Sequence, residues 1–427
     1  MSHYTPNRIK RIYHSSRRFL AKNWLRHSKA IQIALTGSQG KTSTTHILKE
    51  VFQHAFGKNR VVVTDTNLDT IYNVPITALR VRPSTKFVIW ELGIDNPRDM
   101  GLHLEIAKPH IAIITGIAPV HTDKEHLGSL EKLIQEKRKL IEHLEKNDYA
   151  VLNYEDEYVR AMAPYTKATI LWYGTTPGKC DIWMSDVELD EKGTRAQIHE
   201  KDASSWKIQT SLLGAHQILN AMAAYAVYKR MRTEQDSKTS LQSIQQDFAQ
   251  LIADITPLRG RLNLEKGPND ILVLNDARRA NPTSTRAGLQ TLTAMQVKGK
   301  KYAVLCEMGE LQFPEEEHTK LGAYLATLNL DFVVTVGPMQ KYTYEEALKR
   351  GVEKQKIYWT PSVIEAGVTV KKRIQTGDLL YLKGSHLRHS ERVLLILAGK
   401  KVVCSATICP FYNTCDKCNY LTIGYQG

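Results

Sequence analysis

The segment IQIALTGSQGKTS, residues 31–43, decides the fold: an apolar β-forming run, a glycine-bracketed turn, and the first residues of a helical pattern. Gly37 and Gly40 let backbone N–H groups turn inward as an anion cradle, and the helix N-terminus behind them adds its positive dipole. Lys41 would bring a mobile charge to the β- and γ-phosphates of a nucleotide, and the Thr42 hydroxyl a hard oxygen for magnesium. The segment therefore predicts a phosphate loop that also includes Ser38, Gln39 and Ser43. The common form G-x-x-x-x-G-K-[ST] is not met, because Leu35 holds the first glycine position.

Outward from this loop, RVVVT (60–64), KFVIWEL (86–92) and HIAIIT (110–115) read as further buried parallel strands. Helical patterns at 41–55, 98–107 and 129–145 separate them, and the alternation predicts a doubly wound α/β sheet. Residues 180–212 alternate polar and apolar residues, as antiparallel strands appended to that sheet would, and helices follow at 215–232 and 239–253. A second alternation begins near Pro257. Its strands are expected at 271–275, 302–305, 331–336 and 379–382, with helices near 282–294, 315–327, 361–373 and 387–397. The fold class is thus α/β: a central phosphate-loop domain over 30–256, then a smaller Rossmann-like domain over 257–403. No G-x-G-x-x-G follows a strand of the second half, so a dinucleotide site has no support there. Two such domains with a cleft between them suit a two-substrate enzyme that closes on its ligands.

The ends differ from this body. Residues 1–29 form a basic segment with Arg8, Lys10, Arg11, Arg17, Arg18, Lys22, Arg26 and Lys29 and no acidic residue, within a chain of 427 residues carrying a formal charge of +14. Ile9, Ile12, Leu20 and Trp24 fall near one face of a helix there. Such a helix either packs that stripe on the first domain or lies on an anionic membrane surface or a phosphorylated partner. No apolar run approaches the roughly 20 residues of a membrane span, and no secretory signal opens the chain. A cytoplasmic location is expected, peripheral to the membrane if the helix docks there. No nucleic-acid partner is expected. In the tail, 404–427, Cys404, Cys409, Cys415 and Cys418 crowd together, and only the last two have C-x-x-C spacing. The cluster is either a structural zinc site or a set of unligated thiols.

The compact T-G-x-x-G-K-[ST] loop resembles that of the Mur ligases, and further segments match the family in order. VIWELGIDNPRDM ends a strand with Glu91 as the family's E-L-G does, and IITGIAPVHTDKEHLGSLEKLIQEKRKLI runs from strand to His121 to Lys137. GAHQILNAMAA (214–224) is similar to G-H-N-x-x-N-x-x-A-A, and LRGRLN (258–263) to the G-R that opens the family's last domain. NDARRANPTS, AVLCEMGELQFPEEEHTKLG with its His318, and GDLLYLKGSHLRHSERV resemble the branch that adds D-alanyl-D-alanine. The resemblance spans about residues 30 to 400. It implies an ATP-dependent ligase that joins a carboxylate-bearing peptide precursor of the cell wall to an amine such as a dipeptide, through an acyl-phosphate.

It also implies roles. Lys41, His121 and Lys137 would be catalytic. Thr42, Glu91, His121 and Lys137 would hold magnesium, Lys137 as a carbamate, with Lys139 as the alternative lysine. His216, Asn220, Arg261 and Asp276 would contact ATP, although an interdomain salt bridge is another reading of Arg261 and Asp276. Departures are also present. The family's N-terminal UDP-sugar domain has no counterpart in the thirty basic residues before the first strand, and Asp69, Thr70, Asn73, Gly116 and Gln217 replace family residues. Arg278 and Arg279 add two cations near the expected cleft, which would suit a more acidic substrate. A folylpolyglutamate-synthase-like or lipid-linked amidating ligase is therefore an alternative. A nucleotide-gated basic binding protein is a third, disfavoured because a switch needs no second metal site.

Overall fold

Buried β-branched residues run through the centre of the chain and set its two sheets. The computed structural model describes residues 8–65, 70–202, 204–409, 411 and 414–425, so Asp69 lies outside them. After helix α1 (Arg8–Leu25) the chain alternates β1 (Ile31–Thr36), α2 (Lys41–Phe56), β2 (Val61–Val63), α3 (Thr70–Leu79), β3 (Phe87–Glu91), α4 (Asp99–Leu104), β4 (Ile111–Ile114), α5 (Leu130–Glu142), β5 (Tyr149–Asn153), α6 (Glu157–Met162) and β6 (Thr169–Gly174). A meander of β7 (Ile182–Asp190), β8 (Gly193–Glu200) and β9 (Ser205–Thr210) precedes α7 (Ala215–Gln235) and α8 (Leu241–Ala253). The strands form one sheet in the order β2-β3-β1-β4-β5-β6-β7-β8-β9, parallel through β7 and antiparallel from β7 to β9.

Alternate residues of β1 feed opposite cores. Ile33 and Leu35 pack with α2, α7 and α8, while Ala34 faces Met100, Leu133, Leu140 and the helices of the other side. That is the two-sided burial of a doubly wound sheet. β1 lies between β3 and β4, where the strand order reverses, and ligands of open α/β sheets bind at the carboxyl ends of such a point.

The second half builds a sheet of its own. It contains β10 (Asn263–Lys266), β11 (Leu272–Asp276), α9 (Pro282–Ala294), β12 (Lys301–Cys306), α10 (Pro314–Leu325), β13 (Phe332–Val336), α11 (Gln340–Lys349), β14 (Ile357–Thr360), α12 (Val363–Lys371), β15 (Leu379–Lys383) and α13 (Arg392–Leu397). The order is β10-β11-β15-β12-β13-β14, with only β10 antiparallel. Among its described residues the tail after Leu397 has a single 3-10 turn, Cys415–Lys417, and no strand.

Most expected elements are present, and the differences have physical reasons. Strands β5 and β6 are absent from the sequence reading because half-exposed tyrosine, tryptophan and threonine dilute their apolar runs. The last helix begins at Arg392, not 387, since His389 adopts a left-handed φ of 48° and separates it from a 3-10 turn. On α1 the packed residues are Ala21 and Leu25 rather than the expected stripe: Leu20 and Trp24 are half-exposed or more, and the side chains of Ile9 and Ile12 lie outside the described residues. Trp24 is held instead by its indole N–H, which donates to Val81 O at 2.8 Å.

A buried carboxylate anchors α7, the helix that carries Asn220 toward the loop. Glu200, at the end of β8, accepts from the Tyr225 hydroxyl at 2.6 Å and the Gln245 amide at 2.7 Å, and it pairs with Lys229. Replacing Glu200 by alanine strands those donors and is expected to cost about 2–3 kcal/mol, measured as a lower midpoint in urea unfolding.

Candidate active site

Three neighbouring strand ends meet where the order reverses. β1 runs into the loop 37–40, β3 ends on Glu91, and β4 is followed by Thr115 and Gly116. A Cβ on Gly37 would lie 2.1 Å from Thr115 Oγ1, and one on Gly40, whose φ is 78°, would lie 2.6 Å from Asn220 Oδ1. Only glycine fits either place. Ser38 N donates to Gly116 O at 2.7 Å, Ser38 Oγ donates to Ala118 O at 2.9 Å, and Thr115 Oγ1 donates to Gln39 O. Ser43 is half-buried on the first turn of α2.

Positive charge converges on this loop. Lys41 Nζ and Lys137 Nζ both donate to Gly37 O, at 2.6 and 2.8 Å. Burial holds the Lys41 amine down to about 8, against the opposing pull of Glu91, with Arg279 and Arg261 pressing the same way as burial. Burial also pushes Lys137 well below the usual lysine range, helped by Lys41 and Arg279. Lys139 instead pairs with Glu136 at 2.5 Å, so of the two lysines it is Lys137 that faces the loop. Arg261 donates from Nη2 to Thr42 Oγ1 at 3.2 Å, and burial lowers it to about 10.

The acidic side is smaller. The Thr42 hydroxyl donates to Glu91 Oε1 at 2.8 Å, while Glu91 Oε2 is buried with no hydrogen-bond partner. A buried, unpartnered carboxylate oxygen beside a hydroxyl fits a hard divalent cation. His121, with φ 56°, lies between two carboxylates: Nε2 is 3.4 Å from Asp95 Oδ1 and Nδ1 is 3.4 Å from Glu310 Oε2. Burial lowers its pKa to about 3, with Asp95 opposing and Arg279, Lys137 and Lys41 reinforcing, so the ring is neutral and available as a ligand. His121, His126 and Glu310 place ligand atoms within 4.8 Å of one another.

Asp95 and Glu310 were missed by sequence reasoning. Both sit in segments quoted for the resemblance, but nothing local says that their side chains turn to His121. Glu310 reaches it because His318 fixes its loop: Nδ1 donates to Pro314 O at 2.6 Å and Nε2 accepts from Met308 N at 3.2 Å. The same loop docks on the first half, where Gln312 N donates to Thr122 Oγ1 at 3.1 Å.

The remaining expected residues divide. Asn220 accepts from Thr44 Oγ1 at 3.3 Å and borders Gly40. His216 lies beside Gly214 and is lowered to about 4 by burial and then by Lys383. Asp276 is engaged within its own half, where Lys383 Nζ donates to Oδ2 at 2.6 Å and the Tyr381 hydroxyl donates to the same oxygen at 3.2 Å. Burial still leaves its carboxyl raised. An interdomain salt bridge by Arg261 or by Asp276 is not present among the described ion pairs, whereas Lys383, also missed, takes the Asp276 carboxylate. The four tail cysteines share no contact with this loop and line a separate cavity.

Gly37→Ala is expected to lower stability by about 1–3 kcal/mol, and adding Thr115→Ala, which removes the nearest clashing atom, should recover part of that loss. Additive losses in urea unfolding would show that the close approach is not what excludes a side chain.

Comparison with known proteins agrees with this arrangement. Residues 35–228 match the Mur ligase middle domain, and residues 260–386 match the Mur ligase glutamate ligase domain. The chain is 30% identical to the UDP-N-acetylmuramoyl-tripeptide–D-alanyl-D-alanine ligase of Bacillus subtilis (strain 168) over 380 residues, covering 88% of this chain and 77% of that one. The ligase of that name from Mycobacterium leprae is 27% identical, with 83% and 71% covered. Among solved structures, MurF from Acinetobacter baumannii superposes with a TM-score of 0.78 at 26% identity, covering 91% of this chain and 81% of that chain. MurF ligase from Thermotoga maritima in complex with ADP shares the fold, with a TM-score of 0.76 at 23% identity and coverage of 91% and 84%.

Proposed function

The chain belongs to the Mur ligase family, and from that premise we propose that it uses ATP to join the carboxylate of a UDP-N-acetylmuramoyl-tripeptide to the amine of D-alanyl-D-alanine. The observation that carries this reading is the convergence of Lys41, Lys137, Arg261 and Arg279 on one loop, against Glu91, Asp95 and Glu310. A cleft so charged suits a polyphosphate and an acid brought together.

A carboxylate resists attack by an amine, so it is first activated. Its oxygen attacks the γ-phosphorus of ATP, ADP leaves, and an acyl-phosphate forms. The amine nitrogen then adds to the acyl carbon, the tetrahedral intermediate expels inorganic phosphate, and the nitrogen loses a proton. Phosphoryl transfer depends on positioning and charge neutralisation. Lys41, released from Gly37 O, would follow the transferred phosphoryl group, and the Arg261 fork would bind the oxygens that gain charge. Asn220 and His216 would line the nucleotide, with Asp276 at the ribose side.

Magnesium fits Thr42 and the unpartnered oxygen of Glu91, and a second ion fits His121 with Lys137. Magnesium would supply neutralisation of phosphate charge there. Burial and the neighbouring Lys41 shift Lys137 toward the neutral, nucleophilic form that adds carbon dioxide, and the resulting carbamate would give the cation-rich pocket an anion.

Incubation with ATP, magnesium, UDP-N-acetylmuramoyl-tripeptide and D-alanyl-D-alanine is expected to release phosphate and ADP in step with the pentapeptide product seen by mass spectrometry. Lys41→Ala should lower the rate by about 10²-fold or more without altering the unfolding midpoint by an equal measure. Turnover with folate and glutamate, and none with the peptide pair, would overturn the substrate assignment.

We also propose that α1 rests on an anionic membrane surface. No helix among the described residues is long and apolar enough to cross a membrane, yet Tyr13, Phe19, Leu20 and Trp24 are 60, 68, 58 and 50% exposed on a helix without an acidic residue. Basic and apolar groups on one surface helix are what interfacial binding uses. The full chain should sediment with phosphatidylglycerol vesicles and not with phosphatidylcholine vesicles, and Phe19→Ser with Leu20→Ser should weaken that binding. Equal recovery with both lipids would rule it out.

A further inference from the structure

The tail carries a constellation that the ligase chemistry does not use. Cys404, Cys409 and Cys415 are buried, Cys418 is half-buried, and all four are free thiols. Although their spacings in the chain are unequal, they line one small cavity with His389 and Arg392, where a single ion would draw the sulfurs in, since the four do not all stand within 4.8 Å of one another. The tail that brings them together has no ladder of its own. Its backbone is tied down at these cysteines: Cys404 N donates to Leu421 O at 3.1 Å, Cys409 N to Leu387 O at 2.9 Å, and Cys418 N to Cys415 O at 3.2 Å.

The neighbouring charge is harder to explain without a ligand. Arg392 is 1% exposed, and no carboxylate among the described residues comes within ion-pair distance of its guanidinium. It donates from Nε to Cys415 Sγ at 3.2 Å, and from Nη1 to Cys404 O at 3.1 Å and Ala406 O at 2.8 Å. A buried cation without an anion is costly, and a neutral thiol is a weak acceptor. Four thiolates around one divalent ion would carry a net charge of about −2, which meets the guanidinium at the atoms it already addresses. Glu391 completes an outer layer, joining His389 Nδ1 at 2.7 Å and accepting from Cys415 N at 3.3 Å. Such outer partners are how proteins orient metal-bound groups.

We propose that Cys404, Cys409, Cys415 and Cys418 bind one zinc ion that fixes the tail onto α13, with Arg392 as the cation balancing the thiolates. Soft sulfur ligands in a four-fold set select zinc over the magnesium of the loop. The cavity, about 10 Å³, suits a single ion better than an iron–sulfur cluster. Because the ligands have to lose protons to bind, zinc binding and folding of the tail are one event.

Metal analysis of the full chain, purified under reductant and without a metal-affinity step, should give one zinc per chain. Cys404→Ser and Cys415→Ser should each reduce zinc affinity by about tenfold or more and expose the tail to protease, whereas Cys180→Ser, far along the chain in another core, should leave both unchanged. If the serine variants do not fold, cobalt exchanged into the unaltered chain should give the tetrahedral d–d and thiolate charge-transfer bands of a sulfur-rich site. No zinc in the chain as purified or after zinc dialysis, iron with acid-labile sulfide in its place, or full zinc retention by both variants would overturn the proposal.

Discussion

Two lysine side-chain nitrogens share one carbonyl oxygen at the centre of this protein, and most of the site follows from that fact. Lys41 and Lys137 reach Gly37 O from α2 and α5, two helices on opposite faces of the first sheet. Like charges this close, out of water, repel strongly. The repulsion and the burial together shift Lys137 well below the usual lysine range and bring Lys41 near the point of losing its proton. Carboxylates relieve the repulsion only in part: Glu91 and Asp95 pull the other way without an ion pair to either lysine, Glu91 bonding Thr42 and Asp95 lying against His121. The loop is therefore a place where negative charge from outside lowers the energy of the whole arrangement.

How much of this was legible in the sequence depends on the range of the interaction. The phosphate loop is local: strand, glycines, lysine and helix follow one another, so IQIALTGSQGKTS predicts both its structure and its chemistry. Glu91 was legible because a strand end announces itself by the end of an apolar run, whereas His121, in a loop beyond β4, was singled out only by the family resemblance. Asp95 and Glu310 were not legible, because their meeting at His121 depends on how two halves of the chain dock. β14 and α11 were hidden for another reason: short, half-buried elements carry weak periodicity. On α1 the expected apolar stripe was the wrong one, since small Ala21 allows close packing while Leu20 and Trp24 stay outside.

The two halves meet through polar contacts and through an apolar one, where Leu213 and Leu189 of the first half join the core around Leu262, Leu274 and Leu289. Arg261 touches Thr42, Gln312 touches Thr122, and Thr291 Oγ1 borders Gly214, each pairing a residue of the second half with one of the first. Single hydrogen bonds of this kind contribute about 1 kcal/mol each, and they fix how the halves align while the buried leucines add apolar contact. Glu310 and Arg279 are delivered to the loop by this docking, which makes the charge pattern of the site a property of the assembled pair.

Cations in the cores or at their edges fall into two kinds, and the difference separates scaffold from site. Lys229 has Glu200, and Lys383 has Asp276 at 2.6 Å; in both, the counter-charge is built in, and the pair holds a helix or strand in place. Lys41, Lys137 and Arg261 have no such dedicated carboxylate, and they gather where the strand order reverses and a ligand is expected. Arg392 has none either, and it faces sulfur atoms in the tail. A protein with a formal charge of +14 can leave surface lysines unpaired at little cost, because water screens them. Inside, the same omission is costly, which is why these positions, and not the paired ones, are the candidates for an outside anion.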